Sequence, residues 1–212
     1  MAILEGNNIW IKRGRLSFPD IVKPKTRKHD DGSTSQVYGA NILMEPSQEE
    51  VAEIKQLAAQ VAQQKWPDKH EAVMAMITGE KKLRCYGPGE EKVSQSTFKP
   101  YDGYEGAFFI TGVNAGVPQL IGADGQPLPP TANLNQLFNG GNYVSAIYNM
   151  WAQDNTHGKA IRAKLVALQF LEKGESFGSE DVDAVSVFTP VAGAPAAASG
   201  AIPMPGNPDP LG

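Results

Sequence analysis

The stretch FNGGNYVSAIYNMWAQDNTHGKAIRAKLVALQFLEKGESF, residues 138–177, predicts two long β-strands around one turn. Strand side chains alternate between two faces with a period of two. In the first strand, from Tyr143 to Trp151, one face consists of Val144, Ala146, Tyr148 and Met150. The opposite face consists of Tyr143, Ser145, Ile147, Asn149 and Trp151.

The segment from Gln153 to Gly158 predicts the turn, because short polar residues bond locally and glycine readily adopts a positive φ. The second strand, Lys159 to Phe170, places Arg162 and Lys164 on one face. Rings on one arm and cations on the other are typical of a platform for single-stranded nucleic acid, on which bases stack and phosphates meet charge. The alternative is that both arms are ordinary core strands of a β-barrel.

The length of 212 residues favours one domain with appendages, and the chain is long enough to bury a sizeable core. A single cysteine, Cys85, cannot form an intrachain disulfide. The sequence has no secretory leader pattern and no apolar run of about 20 residues. We therefore expect an intracellular, soluble protein that has no membrane association.

The net charge of -4 is unevenly distributed along the chain. Residues 174–212 contain five acidic residues and no lysine or arginine, so that residues 1–173 carry +1. Residues 11–28 contain seven basic residues and one acidic residue, and a second basic cluster occupies residues 81–84. Basic blocks on a body with an acidic tail are typical of nucleic-acid-binding proteins.

The first predicted strand runs from Asn8 to Phe18. Its two apolar pairs, Ile9 with Ile11 and Leu16 with Phe18, are out of phase, and one extra residue at Gly14 restores a common core face, which predicts a β-bulge there. The bulge would place Trp10, Lys12 and Arg15 on the side away from the core. An irregular segment bracketed by Pro19 and Pro24, then a polar loop over residues 25–34, is expected before a second strand from Ser35 to Met44.

Residues 47–79 predict a helical insertion. Ser47 and Glu50 form a capping-box pattern, and apolar residues then recur at helical spacing as far as Trp66-Pro67. A second helix is expected from Asp68 to Gly79, with Val73, Met76 and Ile77 in the core.

Residues 81–104 form a long connection in which cations alternate with aromatic residues, and such loops are usually functional or disordered. Further strands are predicted over residues 106–115 and 118–122. From residue 179 the chain consists largely of alanine, proline, glycine and serine, so we expect a disordered tail over residues 179–212.

The order strand, strand, helix, strand, strand, hairpin predicts a mainly β domain over residues 1–178, an antiparallel barrel with a helical insertion. A five-stranded, partly open Greek-key barrel is the OB-fold, which commonly binds oligonucleotides.

Enzymatic signatures are absent from the sequence. The three histidines are far apart, Cys85 has no base partner nearby in sequence, and no His/Cys spacing suits zinc. The segment Tyr86 to Gly89 lacks the Gly-Lys-Ser/Thr ending of a phosphate-binding loop. We expect a protein that is not an enzyme and that has no cofactor and no metal.

Three segments carry a resemblance to a known family. They are Gly14 to Pro19, Val37 to Leu43, and the hairpin with its aromatic-glycine entry at Phe138 and its closing Gly174-Glu175. Together they resemble, in patches over residues 8–177, the OB-fold single-stranded DNA-binding proteins of tailed bacteriophages, relatives of the T7-type replication protein.

This resemblance implies sequence-independent binding of displaced strands in phage DNA replication or recombination. It also implies self-association on DNA and an acidic C-terminal tail that contacts replication proteins. The chain departs from that pattern, since its acidic residues are concentrated at residues 180–183 and it ends in Pro-Leu-Gly.

Two sets of side chains are candidates for contact with DNA. The stacking candidates are Trp10, Tyr86, Tyr101, Tyr143, Tyr148 and Trp151. The phosphate-binding candidates are Arg13, Arg15, Lys23, Lys81, Lys82, Arg84, Lys99, Arg162 and Lys164. Tyr148 and Trp151 lie on opposite faces of one strand, so both can reach DNA only if the strand bends.

Two other functions remain open at this point. One is a strand-annealing factor or a factor that binds double-stranded DNA. The other is a structural or protein-interaction barrel of a virion.

Overall fold

The computed structural model describes residues 2–28 and 32–177. The predicted tail over residues 179–212 lies outside the described residues, as do residues 29–31 of the predicted polar loop. The strands are β1 (Ile3–Leu4), β2 (Asn8–Lys28), β3 (Thr34–Met44), β4 (Tyr86–Pro88), β5 (Phe108–Asn114), β6 (Gln119–Ile121), β7 (Tyr143–Asn155) and β8 (Gly158–Glu172). The α-helices are α1 (Glu49–Lys65), α2 (His70–Gly79) and α3 (Leu134–Leu137).

All eight strands belong to one sheet, with the order β4-β5-β3-β2-β7-β8-β6 and with β1 paired to β2. Each pairing is antiparallel except that of β6 with β8. The hydrogen-bonded path does not close, but β5 and β8 approach one another, and Asn114 Nδ2 donates to Leu165 O over 2.9 Å. This arrangement confirms the mainly β, partly open OB-like barrel.

The β-bulge at Gly14 is confirmed. The register between β2 and β7 shifts between Ile11 and Gly14. A Cβ atom at Gly14 would lie 2.3 Å from the Cγ2 atom of Ile42 and 2.7 Å from the backbone oxygen of Leu43. Only glycine therefore allows β2 and β3 to approach this closely without displacement of the neighbouring strand.

Strand β2 is longer than predicted. Two register shifts against β3, between Ser17 and Asp20 and between Asp20 and Lys25, replace the expected irregular segment. Beyond Lys25 the two strands pair again as far as Lys28 and Thr34. Bulges absorb the two prolines without ending the strand, because an edge or bulge position does not require the missing N–H.

The helical insertion is confirmed, and its first helix packs against β2 and β7. The predicted end at Trp66 is also correct, since its backbone N–H donates to Ala62 O over 2.8 Å. The core side of α1 is formed by Val51, Ile54, Leu57, Ala58, Val61 and Ala62.

Three details of the insertion differ from prediction. Ser47 does not cap α1, which begins at Glu49 after Gln48. The buried Glu50 instead accepts a hydrogen bond from the backbone N–H of Lys12 over 3.4 Å, so it ties the helix to β2. Helix α2 begins at His70, and its Met76 is 47% exposed and lies outside the core.

The long connection over residues 81–104 is largely ordered by short elements. It contains a 3-10 turn (Lys81–Leu83), strand β4, a second 3-10 turn (Gly89–Glu91) and a bridge between Val93 and Pro100. Among the described residues, no helix has the length and apolar character needed to cross a membrane.

Candidate nucleic-acid interface

The β7–β8 hairpin has the two faces that its alternation predicts. Val144, Ala146, Tyr148 and Met150 are buried. On the outer face, Trp151 lies directly opposite Arg162, and Asn149 lies opposite Lys164. The turn is tighter than predicted, because β7 continues to Asn155 and β8 begins at Gly158, where φ is 94°.

Three aromatic side chains lie on this outer face. Trp10 pairs with Ile147 across β2 and β7, at a position between Tyr143 and Trp151. Tyr143, Ile147 and Trp151 are four residues apart, so the positions that carry the three rings lie about 13 Å apart along the direction of β7, at a rise of about 3.3 Å per residue. We refer to the outward side chains of β2, β7 and β8 as the β7 face.

Local hydrogen bonds fix the Trp10 ring on the β7 face. Its indole Nε1 donates to the Ser145 hydroxyl over 2.7 Å, and that hydroxyl donates to Ile11 O over 3.0 Å. Trp10 is 39% exposed, and Trp151 is 45% exposed. Both side chains are therefore accessible, and the hydrogen bond to Ser145 holds that of Trp10 in place.

At one end of the β7 face, two arginines surround Tyr143. The Arg13 guanidinium lies 3.9 Å from the centroid of the Tyr143 ring, and the Arg15 guanidinium lies 5.8 Å from it. Arg15 also lies 4.3 Å from the ring centroid of Phe177. Arg13 forms an ion pair with Glu172, and the Arg15 side chain donates to Glu175 O. The result is a stacked array of cations and rings at the surface.

At the other end of the β7 face, Arg162 joins β8 to the 3-10 turn Lys81–Leu83. Its Nη1 donates to Lys82 O over 2.9 Å, and its Nε donates to Gln153 Oε1 over 3.3 Å. This contact brings the exposed Lys81 and Lys82 close to the β7 face. Lys164, two residues along β8, is exposed on the same face.

A cleft of about 600 Å³ adjoins this end. Trp151 and Arg162 line it together with Arg84 and with Arg27 and Lys28 from the end of β2. Sequence reasoning missed Arg27 and Lys28, which it placed in a loop far from the hairpin. The long pairing of β2 with β3 is what brings them here.

The prediction that Tyr148 and Tyr86 stack on bases is wrong. Tyr148 is fully buried, and its hydroxyl donates to Ala40 O over 3.1 Å. Tyr86 is 6% exposed and stacks on Phe108 with ring centroids 6.1 Å apart. Burial raises the pKa of Tyr86 to about 12. Neither ring is available to a base.

Arg84 is also not a free surface cation. Its side chain is only 9% exposed and forms an ion pair with Glu91. Its guanidinium donates to Tyr86 O over 2.6 Å and to Thr78 O over 3.3 Å. These contacts give Arg84 a structural role, in which it ties α2 to β4 and the second 3-10 turn.

Three remaining candidates lie away from the β7 face. Lys23 is exposed on the outer half of β2, and Lys99 is exposed in the loop after the second 3-10 turn. Tyr101 is half-buried, with its ring centroid 4.8 Å from that of Phe18 in an edge-to-face arrangement. The structure does not bring these three together with the hairpin candidates.

Sequence reasoning missed three accessible phenylalanines. Phe18 is 44% exposed and Phe98 is 81% exposed, whereas Phe177 is half-buried beneath Arg15. Phe18 was placed with Leu16 on the core face, but the register shift after Ser17 turns it outward. The alternation alone carries no signal of this second bulge.

Nothing in the described part of the chain groups three or more His, Cys, Asp or Glu side chains as a metal site. Cys85 is buried, and this burial raises its pKa to about 12. A thiol in this setting is protonated at neutral pH and is a poor nucleophile.

A family model described as the ssDNA-binding protein of Enterobacter phage Enc34 matches residues 7–197. The chain belongs to this phage family. A relative, putative protein p50 of Acyrthosiphon pisum secondary endosymbiont phage 1, is 30% identical over 182 residues, which are 85% of this chain and 91% of that protein.

Solved structures share the fold of this Enc34-family chain. The Enc34 single-stranded DNA-binding protein in complex with ssDNA superposes with a TM-score of 0.65 and 20% identity, over 83% of this chain and 92% of that chain. The single-stranded DNA-binding protein gp2.5 of bacteriophage T7 gives 0.52 and 10% identity, over 93% and 98%. At these identities the likeness establishes the fold, and the predicted resemblance to this family is confirmed.

Proposed function

We propose that this protein binds single-stranded DNA without sequence preference, through the β7 face, during phage DNA replication or recombination. One observation carries the proposal: Trp10, Tyr143 and Trp151 lie on one outward face, and cations flank them at both ends. Family membership supports it, because the Enc34 relative has been solved in complex with ssDNA.

The rings would supply a sequence-independent part of the affinity for each contacted base. Stacking on an aromatic side chain contributes about 1–3 kcal/mol per base and tolerates any sequence, because every base has a π-face. The spacing of the rings, about 13 Å along β7, suits an extended strand that places some bases on rings and leaves others between them.

The cations would hold the phosphates. Arg13 and Arg15 at one end, and Arg162, Lys164, Lys81 and Lys82 at the other, would line the path of the backbone. Such contacts release counterions from the DNA, so the affinity should fall steeply as salt rises. The overall charge of -4 does not oppose this, since residues 174–212 alone carry five acidic residues.

The remaining features of the proposal concern the wider role. We place the DNA-binding domain at residues 1–178 and a separate tail at residues 179–212. The protein would act without catalysis in the host-cell cytoplasm, and it would self-associate along DNA. Recruitment of replication proteins would depend on residues 180–183, because the acidic residues of the tail are concentrated there.

Parallel titrations of labelled oligo-dT and of a duplex of equal length in one buffer test the proposal. Preferential binding of the single strand is expected, because paired bases cannot stack on the exposed rings. Equal or tighter binding of the duplex would favour an annealing or duplex-binding factor. Absence of binding to both would favour a virion protein.

A further inference from the structure

Two exposed phenylalanines adopt a backbone conformation that bulky residues rarely tolerate. Among the described residues, only Asn7, Phe18 and Phe98 combine a side chain with a positive φ, which is 45° at Phe18 and 54° at Phe98. Asparagine accepts this region readily, but for a large side chain it is a genuine outlier. Strain of this kind clusters at functional sites, where the surroundings hold it.

The two residues lie on one side of the fold. A bridge between Val93 and Pro100 closes the loop that bears Phe98, and Tyr101 N donates to Lys92 O over 3.1 Å at its base. Tyr101 in turn packs against Phe18 with ring centroids 4.8 Å apart. Phe98 nevertheless remains 81% exposed, so core packing does not explain its position.

Cations accompany these rings. The Lys92 ammonium lies 4.7 Å from the ring centroid of Phe109, and Lys99 is exposed next to Phe98. Burial lowers the pKa of Lys92, the nearby Glu91 carboxylate raises it, and the charges of Lys25 and Lys81 lower it. Lys99 therefore places positive charge beside the exposed Phe98, whereas Lys92 lies over the buried ring of Phe109.

The two aromatic regions are physically continuous. Arg15 lies 5.8 Å from the Tyr143 ring centroid and 4.3 Å from that of Phe177. The Phe177 ring in turn packs so closely on Gly103 that a Cβ atom there would lie 2.1 Å from it. Gly103 follows Tyr101 by two residues, so the array of rings and cations extends around the domain from β7 to Phe18.

From these contacts we infer that Phe18 and Phe98 form a second base-stacking platform, which receives single-stranded DNA after it leaves the β7 face at Tyr143. This inference rests on the proposed function. It predicts that a strand long enough to pass Arg15 gains affinity from the platform, whereas a short strand held on the β7 face gains none.

The inference is tested by measuring how tightly Phe98→Asn and Phe18→Asn bind oligo-dT of about 4 and about 16 nucleotides. These lengths are the limits of OB-fold site sizes. Asparagine tolerates the positive φ, so the fold should be kept, and urea denaturation checks this. Each variant should lose about tenfold in affinity for the long strand and nothing for the short one. Phe98→Tyr keeps an aromatic ring and should bind the long strand as tightly as the wild type. The control is Met76→Ala, which replaces an exposed apolar side chain on α2 and should bind as the wild type does.

Unchanged binding of the long strand by Phe98→Asn would overturn the inference, as would an equal loss for both lengths. Trp151→Ala separates this result from a failure of the proposed function, because it should weaken binding of both strands. If Trp151→Ala bound normally while Phe98→Asn lost the long strand, the platform would stand and the β7 face would not.

Discussion

Trp151 on β7 lies directly opposite Arg162 on β8, so an exposed ring and a cation share one cross-strand pair. Trp151 is 45% exposed, while the Arg162 guanidinium is held by Lys82 O and by the Gln153 side chain. The pair thus offers a stacking surface beside a positioned charge. The contributions of the ring and of the cation to DNA binding can therefore be tested by separate substitutions.

Tryptophan fluorescence should report DNA binding through two of the three indoles. Trp66 is buried, and its Nε1 donates to Asp154 over 2.7 Å, so its emission should not change. Oligo-dT should quench the wild type, and the double variant Trp10→Phe/Trp151→Phe should show almost no quenching. Strong quenching in that variant would mean that DNA reaches Trp66 or changes the fold.

Lys164→Ala should weaken binding without loss of stability, because the side chain is exposed. The slope of log K against log salt should become shallower by about 0.7, the value for one phosphate contact with a single strand. Arg162→Ala should weaken binding and also lower the free energy of unfolding, since it loses the Lys82 contact.

Lys55→Ala is the matched control for both cations. Lys55 is exposed on α1 with its ammonium 5.4 Å from the Phe108 ring centroid, away from β7 and β8. For Lys55→Ala, the slope of log K against log salt should equal that of the wild type. Indistinguishable slopes for Lys164→Ala and Lys55→Ala would remove Lys164 from the interface.

Tyr148→Phe should change stability and leave DNA binding alone. The variant removes the hydroxyl and with it the buried hydrogen bond to Ala40 O. The free energy of unfolding should fall by about 1 kcal/mol in urea denaturation. A folded Tyr148→Phe protein with strongly reduced affinity would contradict the assignment of Tyr148 to the core.

Stability should fall at high pH because of Cys85. Burial raises its pKa from 9.0 to about 12, so the unfolded chain loses this proton first as pH rises. The contribution is complete below pH 9 and is lost progressively between 9 and about 12. Within that window the free energy of unfolding should fall by about 1.4 kcal/mol per pH unit more steeply than in Cys85→Ala. If urea denaturation gave the same dependence of the free energy of unfolding on pH for the wild type and for Cys85→Ala, the thiol would not be buried.

The sequence predicts the hairpin and the Gly14 bulge well, because both depend on alternation within a single strand. Tyr143 and Trp151 could be assigned to one face for the same reason, and Tyr148 to the other. The choice of which face is buried depends on the rest of the barrel. A stacking role for Tyr148 was therefore compatible with the sequence and incompatible with the fold.

Long-range packing determined most of the remaining differences. Arg84 looked like part of a basic cluster, yet Glu91 and two carbonyls surround it in the fold. Phe18 looked like a core residue until the shift after Ser17 turned it outward. The first outcome depends on contacts with α2, β4 and the second 3-10 turn, and the second depends on the pairing of β2 with β3, so no local pattern encodes either.

Photocrosslinking of oligonucleotides that carry 5-iododeoxyuridine, followed by peptide mass spectrometry, tests the β7 face most directly, because iodouridine links to the aromatic side chains that it contacts. Crosslinks are expected at Trp10, Tyr143 and Trp151. Crosslinks confined to the other side of the domain, in the groove that Met74, Tyr86 and Phe108 line between the helices and β5, would contradict it.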